Sequence, residues 1–290
     1  LEKSIEETLA KPLGLTVLEA AVGFHNVVNE NMAAATRMHL AEKGRDPRKY
    51  DMIAFGGAGP VHACHMARLL KLDNVIVPLG AGVTSALGFL VAAPAVDYVR
   101  SYVARLEQIN WEYLNQLFCD MEDEARSLLI EAGADNEDIT FERKADMRHV
   151  GQGFEISVPV PDGQLSGSHI DKLRLNFFDS YRNLFERTVT DIAIETMSWR
   201  LAATAPIPNI ALNFKGQKGS IDNKLKGQRS VFFSETGFAP CNVYNRYAFL
   251  EGDTVEGPAI IEERESTTVM PPGTRAKIDK SLNLRIELNA

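Results

Sequence analysis

Leu18, Val22, Val28, Met32 and Ala35, with His25 among them, recur at helical intervals near the start of the chain. Thr16 followed by Glu19 has the spacing of a capping box, so the pattern predicts one long helix over residues 16–43. Gly44 ends it and Arg45-Asp46-Pro47 makes the turn. A short apolar strand at 52–55 runs into the glycine-dense turn Gly56-Gly57-Ala58-Gly59. A helix with Pro60 in its first turn follows, where proline is tolerated. Val75-Ile76-Val77 is a second short buried strand, and the helix–strand–helix–strand order is that of an α/β layer. The loop Pro78–Gly88 then enters a helix of small residues, residues 95–105 read as a strand, and residues 108–132 as an amphipathic acidic helix ending at Gly133.

Beyond about residue 138 the period changes. Phe154–Val158 and Ile192–Met197 alternate as strands do, with a helix at about 169–187 between them. Residues 206–228, rich in Pro, Gly, Lys and Asn, read as an exposed loop, and 229–288 as entirely β. The fold class expected is therefore α/β and then β-rich. The expected division is an α/β part over 1–105, a connecting helix over 106–137 and a mixed α+β, mainly β, C-terminal domain over 138–290.

Composition narrows the function. The 290 residues are 45% hydrophobic and 24% charged, enough for a real core. A net charge of −8 argues against a nucleic-acid partner, and no apolar run reaches the ~18 residues that span a membrane. Cys64, Cys119 and Cys241 are far apart and form no CxxC pair, so a disulfide framework or structural zinc is not expected and a reducing cytoplasm fits. The chain begins within a helix-like segment, as a piece of a longer polypeptide would.

The turn Gly56-Gly57-Ala58-Gly59-Pro60 carries the candidate chemistry. Glycines at a strand-to-helix junction let a ligand approach the backbone, and the helix N-terminus offers free N–H groups and a positive dipole end. Together they suit a nucleotide or another flat anionic ligand. A tight connection with no ligand fits the same residues, and local sequence does not decide between the two. A GxxxxGK[ST] phosphate loop, a full dinucleotide fingerprint, GxSxG and HExxH are all lacking.

Asn29 and Asn31 interrupt the long helix, where asparagine is a poor interior residue; they lie either on a solvated face or facing a ligand cleft. His62 and His65 stand i,i+3 on one helix, but no third ligand is evident nearby and no metal site is expected. His62 is instead a candidate for a cleft-facing residue. Cys64 reads as core. Asp146–Glu155 reads as a strand with a bulge at its glycines. Glu262, Glu263 and Glu265 with Ser266-Thr267-Thr268 fit a carboxylate site or an exposed strand end equally.

Ala54-Phe55-Gly56-Gly57-Ala58-Gly59-Pro60-Val61-His62-Ala63 resembles the AFGGAGPLHA segment of the hydantoinase A / 5-oxoprolinase family. Asn29–Ala33, Gly44–Pro47, Gly82–Gly88, Asp146–Gly153 and Gly257–Glu263 resemble further elements of that family, in the same order. The resemblance covers nearly the whole chain. It favours hydantoinase A over eukaryotic 5-oxoprolinase, and the β subunits of ATP-dependent ketone carboxylases fit comparably.

The resemblance implies part of an actin-like lobe, of the sugar kinase and Hsp70 type, with Gly56, Gly57, Ala58 and Gly59 on the adenosine side of an ATP cleft. It implies ATP-dependent opening of a cyclic amide by phosphorylation of the amide oxygen, with Mg²⁺ at the phosphates. The alternatives it leaves open are a ketone carboxylase β subunit and a non-catalytic assembly module. The family's DxGGTxxD-type phosphate motifs are not found here; in the family they precede this segment and supply the Mg²⁺ ligands. An isolated chain of this kind is expected to be inactive. Its expected partners are the preceding part of the protein, a second subunit, and other copies through residues 1–105. The catalytic residues and the particular substrate are not legible.

Overall fold

The computed structural model describes residues 1–186, 189–208 and 224–289. The chain divides into two compact units, Leu1–Phe89 with Ala211–Ala290, and Leu90–Ile210. The boundaries expected near residues 105 and 137 fall inside the second of these.

In the first unit, helical turns over Glu2–Ile5, Glu6–Ala10 and Lys11–Leu13 lead to α1, Val17–Glu42. Its start is fixed as expected. Thr16 Oγ1 accepts from the Glu19 amide, and the Glu19 carboxylate accepts from the Thr16 amide at 2.8 Å. Then come β1 (Met52–Ile53), α2 (Gly59–Leu70), β2 (Asn74–Val77) and α3 (Thr84–Val91).

The second unit holds β3 (Ala95–Arg105), α4 (Trp111–Glu131), β4 (Thr140–His149), β5 (Ile156–Pro159), α5 (Ile170–Phe185) and β6 (Ile194–Thr204). The chain returns to the first unit with β7 (Leu225–Phe233), β8 (Gly237–Asn245), β9 (Thr254–Glu256), β10 (Ala259–Glu262), β11 (Thr267–Met270), β12 (Arg275–Ile278) and β13 (Leu284–Glu287). Most of the expected loop at 206–228 lies outside the described residues, and its last residues already belong to β7.

What joins the two ends of the chain is a sheet of order β1-β2-β13-β12-β9. β1 runs parallel to β2, while β13 pairs antiparallel with β2, placing Leu284 opposite Val77 and Ile286 opposite Val75. All four of these side chains are buried, with Ala63, Ala67 and Leu70 of α2 in the same core. The C-terminal strands thus complete the N-terminal layer instead of forming a separate β domain. A second sheet, β11-β10-β8-β7, buries Phe233, Cys241, Val243 and Ile260.

The second unit is an antiparallel sheet, β3-β6-β4-β5. α4 does not serve as a connector. Its Leu114, Phe118, Met121, Ala125 and Leu129 recur every three or four residues and enter one core with Trp199 and Leu201 of β6. Phe118 meets the Trp199 indole edge-to-face at 5.9 Å. The irregularity in β4 falls between Asp146 and Met147, and Gly151, with φ +88°, lies in the turn beyond the strand.

Candidate functional site

The glycine turn sits where β1 hands over to α2. The Ala54 amide still pairs in sheet fashion with the Ile76 carbonyl at 2.9 Å, and the Gly56 amide then crosses to the Ala81 carbonyl at 2.7 Å. Gly56 has φ +89°, a conformation that favours glycine. Ala58 caps α2 without a side-chain hydrogen bond, so the first-turn amides have no capping side chain. Beta carbons placed on Gly56 or Gly59 would meet open space. The outer surface of the turn is therefore accessible, with the positive end of a twelve-residue helix behind it.

Gly57 is different. A beta carbon there would lie 3.3 Å from the carbonyl oxygen of Glu265, and one on Gly82 only 2.6 Å from the same oxygen. Glu265 is in the tight turn between β10 and β11, closed by the Glu263 amide donating to the Ser266 carbonyl at 2.9 Å. Two of the glycines in the family-like segments are thus spacers for this turn.

Glu263 anchors the arrangement. Its carboxylate is buried, 3.4 Å from the buried Arg246 guanidinium, and Ser266 Oγ donates to it at 3.1 Å. Burial pushes its pKa up, while Arg246, Ser266 and the backbone of Gly80 and Ala81 pull the other way. Burial likewise lowers Arg246 to about 10, which leaves it charged at neutral pH. Glu262 faces elsewhere and takes Lys226 and Arg229. The three glutamates therefore do not form a carboxylate cluster.

Asn29 does not face a cleft. It is fully buried, and its amide nitrogen donates to the His25 carbonyl at 2.7 Å while its Oδ1 accepts from His62 Nδ1 at 3.2 Å. Its amide nitrogen is satisfied within α1 and its Oδ1 joins α1 to α2, which explains an asparagine inside a helix. His62 is half-buried in that contact, and Asn31 is exposed on α1.

The sequence reading missed the position of His25. Its ring stacks on His62 at 5.3 Å and meets His65 edge-on at 5.3 Å. The available signal was the i,i+4 spacing of His25 and Asn29 on one helix face. Among the described residues no group of three or more His, Cys, Asp or Glu is placed to hold a metal ion. Beside the histidines lies a groove of about 330 Å³, lined in part by Val22, His25, His65, Arg68, Phe233 and Val269. The glycine turn is not part of its lining. Cys64 borders it with a thiol that burial pushes up to about 12. Among the described residues no helix is long and apolar enough to cross a membrane.

These features stand in a chain that matches two family profiles end to end: hydantoinase/oxoprolinase over residues 1–98, and the hydantoinase/oxoprolinase C-terminal domain over 104–287. The chain belongs to the hydantoinase/oxoprolinase family. It is 30% identical to an uncharacterized protein of Methanocaldococcus jannaschii, over 99% of this chain and 40% of that protein. It is 27% identical to the caprolactamase subunit alpha of Pseudomonas jessenii, over 96% of this chain and 41% of that protein.

The crystal structure of ATP-dependent caprolactamase from that species matches with a TM-score of 0.67 at 26% identity, covering 100% of this chain and 42% of that one. Nucleotide-free acetone carboxylase matches with a TM-score of 0.72 at 22% identity, over 99% of this chain and 42% of that one, and shows a shared fold. The chain spans about two fifths of the length of these relatives.

Proposed function

We propose that this chain is the C-terminal portion of an ATP-dependent enzyme that opens cyclic amides, and that Gly56–Gly59 form the adenosine side of its nucleotide site. The observation that carries the reading is the open, uncapped turn at the head of α2, in a family with a relative named ATP-dependent caprolactamase. The fold around the turn fits one lobe of an actin-like ATPase. Gly56 and Gly59 leave room for a nucleotide to reach the backbone, and the positive dipole end of α2 favours its negative charge. When bound, ATP would supply the phosphoryl group that, placed on the amide oxygen, makes the carbonyl carbon an electrophile water can attack. The ring C–N bond then breaks with nitrogen leaving as an amine, and phosphate is released by hydrolysis.

The turn offers no carboxylate for Mg²⁺, and the metal ligands are expected in the part of the full protein that precedes this segment. The name caprolactamase subunit alpha supports a second subunit as partner. The chain by itself is inactive and binds ATP weakly or not at all. The substrate class is a lactam or related cyclic amide. A carboxylase role, supported by sequence likeness to acetophenone and acetone carboxylase subunits as well as by the shared fold, is the second reading.

The test is Gly59→Leu in the full-length protein, because a side chain there meets open space and leaves packing alone. Loss of ATP turnover with an unchanged melting temperature supports the proposal. Intact turnover would make the turn a packing element of an assembly module. Gly57 is unsuitable for this test, since its substitution also disturbs Glu265.

A further inference from the structure

We propose that the contact between α1 and α2 is a pH-sensitive joint, closed when His62 and His65 are neutral and loosened as they take up protons. The geometry carries it. His25 on α1 stacks on His62 at an interplanar angle of 20° and meets His65 at 71°, so all three rings share one seam between two helices. Asn29 closes the seam by accepting from His62 Nδ1, which fixes the neutral His62 tautomer with its proton on Nδ1. A proton on His62 and another on His25 would place two positive charges at stacking distance.

The charged surroundings do not remove this repulsion. Burial and His25 both hold His62 below its ordinary 6.5. His65 is lowered by burial first and then by His25 and Arg68, while Glu235 and Glu30 pull it up without reversing the direction. Those two carboxylates already serve Arg68 at 2.8 Å and Arg37 at 3.7 Å. Since the folded values lie below 6.5, the unfolded or opened state binds more protons in this window. The joint is therefore fully stable above 6.5 and loses stability as pH falls through 6.5 towards the folded values. The proposal does not depend on the nucleotide reading, because its readout is the helix pair itself.

Hydrogen–deuterium exchange of the intact chain at pH 7.5 and 5.5, corrected for intrinsic exchange, tests it. Protection of α1 and α2 should fall by up to about tenfold for each depressed histidine, with α4 unchanged. The double variant H25F/H65F keeps ring packing without those charges and should show a smaller fall. Loss of equal size in that variant, or no loss in the native chain, overturns the proposal. Should the variant misfold, histidine ring NMR of the native chain decides: His62 and His65 titrating below 6.5 supports it, and values at or above 6.5 overturn it.

Discussion

The backbone carbonyl oxygen of Glu265 lies 2.6 Å from where a side chain on Gly82 would begin. The carbonyl and Cα–Cβ atoms of Glu265 are tied into the β10–β11 turn, so they cannot swing aside as a side-chain tip could. Gly82→Ala should cost about 2 kcal/mol through overpacking. Gly59→Ala, which meets open space, should leave the melting temperature of the chain close to native. Thermal unfolding of the two variants side by side checks the contrast.

The buried pair of Glu263 and Arg246 supplies a second test. Glu263→Gln leaves the Arg246 charge buried without a counter-charge and should destabilise by about 3 kcal/mol. Replacing both partners, Glu263→Leu with Arg246→Met, should recover much of that loss, because no uncompensated charge remains. Urea denaturation curves of the single and double variants measure the difference.

Thiol chemistry should follow burial. Cys64 and Cys241 are buried and Cys119 is exposed. With its thiol near 12, Cys64 at pH 8 is thiolate in only about one molecule in ten thousand. Mass spectrometry after brief iodoacetamide treatment should find Cys119 modified first, and Cys64 and Cys241 only once the chain is unfolded.

Association should centre on the first unit. Phe24, Val27 and Met38 lie exposed along α1, as do Ile53 at the end of the edge strand β1 and Phe55 just beyond it. Exposed apolar faces and open strand edges favour pairing with another chain. Light scattering at high concentration should report a mass above the monomer, reduced by F24E/V27K. A native monomer would contradict this.

Local elements were largely legible in the sequence because their signals are local. The Thr16–Glu19 box set the start of α1, the amphipathic pattern set α4, and alternation marked the first residues of β6. The pairing of β2 with β13 was not legible, since Val75 and Ile286 meet across more than two hundred residues with no pattern that couples them. The same limit explains the site. The glycines were visible, but Gly57 and Gly82 share a neighbour, Glu265, that only the fold brings to them. Asn29 fitted a solvated face or a cleft in the sequence, because its burial against His62 depends on how two helices pack.

The most direct test of the account is amide NMR of the 290-residue chain titrated with Mg-ATP into the millimolar range. The account predicts at most weak, millimolar binding, with any shifts concentrated in Phe55–Val61 at the head of α2. Micromolar affinity, or shifts that leave that turn untouched, would contradict it.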